Sequence, residues 1–132
     1  MVTIAFHLDS ESGVASYVQL EQQVKQALRL GILSVGDQLP TIREVVASLA
    51  INPNTVHKAY RDLEREGLVD SRPGQGTFVA KTLAGPSLKN QAALRRSLDR
   101  WLQDAYQGGM DEESIVALFT AALRDSSKEG VA

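Results

Sequence analysis

A mainly α-helical fold carrying one small β-hairpin is what this 132-residue sequence predicts. Three observations predict it. Apolar residues recur at three-to-four spacing in five separate stretches, the mark of amphipathic helices. Asn52-Pro53 stands directly before one of them, an N-cap followed by a first-turn proline, so this proline starts a helix. Residues 71–79, SRPGQGTFV, set two glycines between residues with strand preference, the pattern of a hairpin.

Along the chain, Val2, Ile4, Phe6 and Leu8 alternate with other residues, which predicts a short strand or an extended arm. The first helix follows a polar stretch, Asp9 to Gly13. Ser16 and Gln19 have capping-box spacing, and Ala15 and Leu20 are placed as a hydrophobic staple. Its apolar stripe is Tyr17, Leu20, Val24, Ala27 and Leu28, with Gly31 as the stop. Gln19, Gln22, Gln23 and Gln26 read as a solvated face. The second helix has a T-x-x-E capping box, Thr41 and Glu44, stapled by Pro40 and Val45. Val45, Val46, Leu49 and Ala50 are its apolar positions. A turn of about three residues then leads to the third helix, Pro53 to Glu66, ended by Gly67. Leu68–Ser71 and Thr77–Ala80 form the predicted hairpin, with Gly74 and Gly76 supplying positive φ. Gly85-Pro86 punctuates a linker. Beyond it Leu94, Leu98, Trp101, Leu102 and Ala105 make a fourth helix, broken at Gly108-Gly109. Asp111 caps a fifth, stapled by Met110 and Ile115, with Leu118, Phe119, Ala122 and Leu123 on its stripe. Residues 126–132 are expected to fray.

Composition narrows the chemistry. Apolar residues make up 43%, enough for a packed core. The absence of Cys removes disulfides, thiolate catalysis and Cys-based metal sites, and fits a reducing cytoplasm. The N-terminus lacks the basic start and apolar run of a signal peptide, and no run suits a membrane span. The two histidines, His7 and His57, lie in different elements, and no Ser/His/Asp or paired-carboxylate constellation presents itself. Asp111-Glu112-Glu113 suits a helix N-terminus and its dipole better than a metal. Catalysis, cofactor and metal are therefore not expected. Net charge is −2, which alone counts mildly against nucleic acid.

Distribution matters more than the sum. From Asp37 to Thr82 six basic residues balance six acidic ones. At 100° per residue, Val56, Ala59, Tyr60 and Leu63 cluster on one side of the third helix. Asn54, Lys58, Arg61 and Arg65 fall opposite. Helix, helix, short turn, helix and hairpin is the order of a winged helix-turn-helix, in which the start of the third helix meets base edges. Asn54, Thr55, His57 and Lys58 occupy that start. Asn pairs with adenine, Lys donates to guanine, and Thr contacts bases, a thymine methyl or phosphate. Arg43, third in the second helix counting its cap, can reach backbone or groove. Arg72 and the Gly74-Gln75-Gly76 backbone form a wing tip close to phosphate or a minor groove. Each feature has a plainer reading, as a solvated face, a good cap or a tight turn. Their coincidence is what favours DNA.

The stretch from Leu39 to Val79, LPTIREVVASLAINPNTVHKAYRDLEREGLVDSRPGQGTFV, resembles the GntR family of bacterial transcriptional regulators. Its N-P-N-T-V-x-K-A-Y core, L-E-x-x-G-L helix end and G-x-G-T-F-V wing look like the YtrA subfamily. The resemblance spans roughly residues 3–82. It implies a winged-helix domain and a homodimer on a roughly palindromic operator in double-stranded DNA. Arg43 matches the family's second-helix DNA-contacting arginine. Asn52, Asn54, Thr55 and His57 match positions around the recognition-helix start, and Gly74 matches the wing-tip glycine. Many members carry Arg where Pro53 stands and Lys or Arg at Gln75, so fewer charged contacts are implied here.

Two domains are expected, a winged helix-turn-helix over residues 1–82 and a two-helix dimerisation region over 83–132. The roughly fifty residues after the wing are too few for the large effector domain of most relatives, and the resemblance implies two short helices that pair with a second subunit. Neither stripe can bury itself alone, which supports this independently. Leu94, Leu98, Trp101, Leu102, Ile115, Leu118 and Phe119 are the candidate interface residues. A small-molecule effector is not specified; any would have to use a pocket between these helices or at the dimer interface. The expected function is a cytoplasmic, homodimeric DNA-binding repressor, with a transporter operon implied as its target. The alternative is a winged-helix protein-interaction module without DNA specificity of its own.

Overall fold

The computed structural model describes residues 4–85 and 90–130, with side chains to residue 127. Five helices and one hairpin run in chain order: α1 (Ser16–Arg29), α2 (Ile42–Leu49), α3 (Pro53–Arg65), β1 (Val69–Arg72), β2 (Gly76–Val79), α4 (Gln91–Gln107) and α5 (Glu112–Gly130). They divide into two compact units, residues 1–88 and 89–132.

In the first unit α3 packs on α1, on α2 and on β1. Leu20, Val24 and Leu28 of α1 meet Val56, Tyr60 and Leu63 of α3 in one core, closed by Val45, Leu68, Val69 and Val79. Thr41 makes the capping box with Glu44, each side chain paired with the other's backbone N–H at 3.1 Å. Asn52 caps α3 by accepting the Asn54 N–H at 2.8 Å, and Pro53 stands at the first helical position. The turn between α2 and α3 is so tight that Ala50 adopts φ 55°, a left-handed conformation usually left to glycine or asparagine.

The hairpin is antiparallel, pairing Val69 with Val79 and Arg72 with Gly76. Its first strand starts and its second starts one residue away from the predicted positions, because Leu68 stays with the helix stop. The Leu68 N–H returns to Leu63 O, and its carbonyl accepts from Ala80. Pro73 and Gly74 (φ 75°) turn the chain, closed by the Gln75 N–H on Arg72 O at 2.9 Å. Residues 36–39 lie along the far edge of β2. Leu39 donates to Thr77 O, Val79 donates to Asp37 O, and Gln38 forms an isolated bridge with Phe78.

Three expectations are corrected here, none of them for the N-terminal stretch. Of its two expected forms, residues 4–8 take the extended arm; Val2 lies outside the described residues. Main-chain groups of that arm are satisfied by α1 side chains instead of a neighbouring strand. Gln23 accepts the His7 N–H at 3.1 Å and donates to His7 O, and Gln19 does the same for Asp9. These glutamines are therefore not a solvated face; Gln19 is buried, and only Gln22 and Gln26 are exposed. For the same reason Ser16 and Gln19 form no capping box. Ala15 occupies the N-cap, with no side-chain hydrogen bond, because the Gln19 side chain is spent on Asp9, Ser12 and Val14. The third correction is at the far end, where α5 runs on through residue 126 to Gly130. Pro86 and residues 131–132, also named in those expectations, lie outside the described residues.

In the second unit no residue of α4 is buried. Asp111 caps α5 through the Ser114 N–H at 2.8 Å, and these hydrogen bonds to Ser114 hold its carboxyl below the usual range. Ile115 is buried, whereas Leu94, Leu98, Trp101, Leu118 and Phe119 are exposed and Leu102 is half-buried.

Candidate nucleic-acid interface

The α3 helix presents its polar side away from the core. Asn54, His57, Lys58 and Arg61 are exposed and Thr55 is half-buried, while Val56, Ala59 and Leu63 are fully buried. Tyr60 locks the helix to the start of α2. Its hydroxyl donates to Pro40 O at 2.7 Å, and burial, reinforced by the Glu44 charge, pushes its pKa upward. The phenol therefore remains a neutral donor, fixing the angle at which α3 leaves the core.

Between α3 and the hairpin lies a cleft of about 120 Å³, lined by Ile42, His57, Tyr60, Arg61, Glu64, Ser71 and Thr77. Residues of the third helix and of the wing thus share one concave surface. Arg43 is exposed on α2, and neither it nor Arg61 has an ion-pair partner among the described residues. The wing tip, Arg72, Gly74 and Gln75, is exposed. The Arg72 guanidinium carbon lies over the Phe78 ring, 4.3 Å from its centroid, which holds this exposed cation beside the hairpin.

Two of the expected contact residues are already engaged. Asn52 uses its side-chain oxygen on the cap, which leaves only its amide nitrogen to donate outward. Lys58 turns toward α1, where its ammonium sits 4.7 Å from the Tyr17 ring centroid and 3.5 Å from Asp62. Asp62 belongs to a carboxylate cluster at the α1–α3 contact. Glu21 of α1 shares a hydrogen bond with it, and burial together with that neighbour pushes the Glu21 carboxyl up to about 7. No N–H or O–H donor of the described residues reaches the buried Glu21 Oε1. Asp62 is correspondingly held below the usual range, first by the Glu21 hydrogen bond and then by Lys58 and Arg65. The sequence pattern showed Lys58 on the outer arc of α3, with Asp62 one helical turn on, but could not show Tyr17 beside it.

In the sequence Glu64 stands out only as part of the L-E-x-x-G-L helix end, with no role attached. Its carboxylate accepts the Ser71 N–H at 2.7 Å, linking α3 to β1 across the cleft. Only the packing of α3 on β1 brings residues seven apart in sequence into this contact, so spacing alone carries no signal for it.

Comparison with known proteins agrees with this architecture. Residues 16–79 match the family described as bacterial regulatory proteins, gntR family. The chain is 33% identical over 109 residues to the HTH-type transcriptional repressor YtrA of Bacillus subtilis (strain 168), spanning 82% of this chain and 84% of that one. Among solved structures it is similar to YtrA from Sulfolobus acidocaldarius, a GntR-family transcription factor, with TM-score 0.53 and 31% identity over 74% of this chain and 96% of that one. It is also similar to AraR(DBD) in complex with operator ORR3, with TM-score 0.50 and 30% identity over 58% of this chain and 93% of that one. The two YtrA proteins are named as a transcriptional repressor and a transcription factor, not as enzymes. With its capped third helix, its wing and a likeness to YtrA that reaches beyond the matched residues, the chain belongs to the gntR family of bacterial transcriptional regulators.

Proposed function

We propose that this chain is a homodimeric, sequence-specific DNA-binding repressor acting in the cytoplasm on a palindromic operator. The observation that carries the reading is the shared cleft, lined by exposed His57 and Arg61 of α3 together with Ser71 and Thr77 of the wing. A recognition helix entering a major groove while a wing follows the adjacent backbone needs that arrangement. Asn54, Thr55 and His57 read base edges, Arg43 and Arg61 meet phosphate, and Arg72 with Gly74 and Gln75 approaches at the wing. Lys58 contributes to the local field from its place beside Asp62, and Asn52 donates its amide.

Exposed Leu94, Leu98, Trp101, Leu118 and Phe119 support an isologous pairing with a second copy through α4 and α5. Leu102 is half-buried and Ile115 buried within one chain, so they have less surface to give to that pairing. Half-sites then lie about one helical turn, roughly 34–36 Å, apart. The resemblance to YtrA supports a transporter operon among the targets.

Selection of bound duplexes from random DNA, followed by footprinting, tests the reading. A palindromic consensus with two protected half-sites is expected. Recovery of no consensus, with no salt-sensitive affinity for any duplex, would leave the chain as a protein-interaction module.

A further inference from the structure

A carboxylate beside a DNA-binding cleft is a liability, because it repels the phosphates that the cleft has to approach. Glu64 stands in that position, lining the same cleft as His57 and Arg61. Its contact explains why it is there. In the hairpin, Leu39 donates to Thr77 O and Val79 donates to Asp37 O, so at these positions β2 turns its polar groups toward residues 36–39 and away from β1. Their cross-strand partners, Ser71 and Val69, consequently point their own amides outward from the sheet, as non-hydrogen-bonded pairs of an antiparallel ladder do. The Ser71 amide would be an unpaired edge donor facing α3. Glu64 accepts it at 2.7 Å, a short charge-assisted bond to backbone. On the opposite edge the Gln38 side chain donates to Gln75 O at 3.2 Å, so the hairpin is held from both sides.

We infer that Glu64 is a positioning residue of the interface, whose carboxylate fixes the wing against the recognition helix so that both engage one duplex. This rests on the DNA-binding reading above. The helix and the wing are separate elements, and a mobile wing would lose its ordering entropy on each binding event. A fixed one does not.

The test uses the full chain with Glu64→Ala and Glu64→Asp, which remove the acceptor or shorten its reach, and Glu64→Gln, which keeps an acceptor without the charge. In the free protein, Ser71 amide hydrogen exchange should quicken in the first two variants and stay near wild type in Glu64→Gln. On the duplex that the wild-type chain recovers from random DNA, Glu64→Ala should bind on the order of fivefold to tenfold more weakly, about one net hydrogen bond. The lost protection should fall at the wing side of each half-site, with protection under the recognition helix retained. Glu64→Gln should bind at least as tightly as wild type. Unchanged Ser71 exchange in Glu64→Ala overturns the clamp. Faster exchange with undiminished affinity, or weakened binding in Glu64→Gln, overturns its role in recognition. A wild-type chain that recovers no duplex overturns the DNA reading and this role with it, and the Ser71 exchange then separately reports whether the clamp exists.

Discussion

Ala50 takes φ 55° and ψ 44° at the C-cap of α2, where its N–H still reaches Val46 O at 2.8 Å. An L-residue with a Cβ pays about 1 kcal/mol for that conformation, so Ala50→Gly should raise stability by roughly 0.5–1 kcal/mol, measured by chemical denaturation. Gly76 presents the reverse case. At φ 131° it occupies a region other residues rarely enter, and an added Cβ would meet the Gln38 amide at 2.5 Å. The Gln38 side chain can swing aside, but only by leaving Gln75 O, so Gly76→Ala should destabilise the hairpin through backbone strain and loosen its tip. Arg43 has no ion partner among the described residues to compete with phosphate. Under the proposed function Arg43→Ala should weaken DNA binding and lower the slope of log affinity against log salt by about one. An unchanged slope would show that Arg43 touches no phosphate.

At the scale of elements, α1 and α3 meet through an apolar stripe and, at its edge, the cluster of Glu21, Asp62, Lys58, Arg65, Lys25 and Glu66. Lys25 pairs with Glu66 at 3.0 Å, which adds a second link between these helices. Glu21 is raised from 4.5 to about 7, so the folded chain holds its proton more tightly than the unfolded chain does. Its contribution to stability is full below 4.5 and is lost as pH rises through about 7. Asp62 works in the opposite sense. Held below its ordinary 3.8, it stabilises above that value and loses its contribution as pH falls through the lowered one. The wild-type melting temperature should therefore decline between about pH 5 and pH 8, and Glu21→Gln, which keeps a donor toward Asp62, should flatten that decline. Melting curves across this range check it, and a variant with the wild-type slope would assign the titration to another group.

For the whole molecule, the second unit leaves a set of large apolar side chains open to water in one chain. Leu94 is 67% exposed and Phe119 45%, more than scattered surface apolar residues account for when they recur along both helices. The proposed dimer covers them. Leu98→Asp combined with Phe119→Asp should give a monomer by sedimentation, with α1–α3 and the hairpin unaffected by circular dichroism and melting. The monomer should bind a two-half-site duplex on the order of a hundredfold more weakly, since the second half-site is no longer delivered at high effective concentration. A wild-type chain that sediments as a monomer would remove the dimer from the proposal.

Local chemistry was legible without any structure wherever neighbours in sequence are also neighbours in space. The Thr41–Glu44 box, the Asn52-Pro53 start, the Pro73-Gly74 turn and the Asp111 cap are all interactions within four residues, and residue type and spacing suffice to recognise them. The helical stripes told which face of α3 is buried, and hence that Asn54, His57 and Arg61 are left outside. What only the tertiary structure decided are the contacts that span elements. Gln19 and Gln23 hold an arm ten to sixteen residues away, Lys58 folds onto Tyr17, Ser71 gives its amide to Glu64, and Ala50 bends left-handed to bring α3 across α2. Polar side chains look alike in sequence whether they face water or a distant backbone group. Packing alone decides which backbone donors and acceptors are left unpaired, and so which polar side chains are taken up in satisfying them.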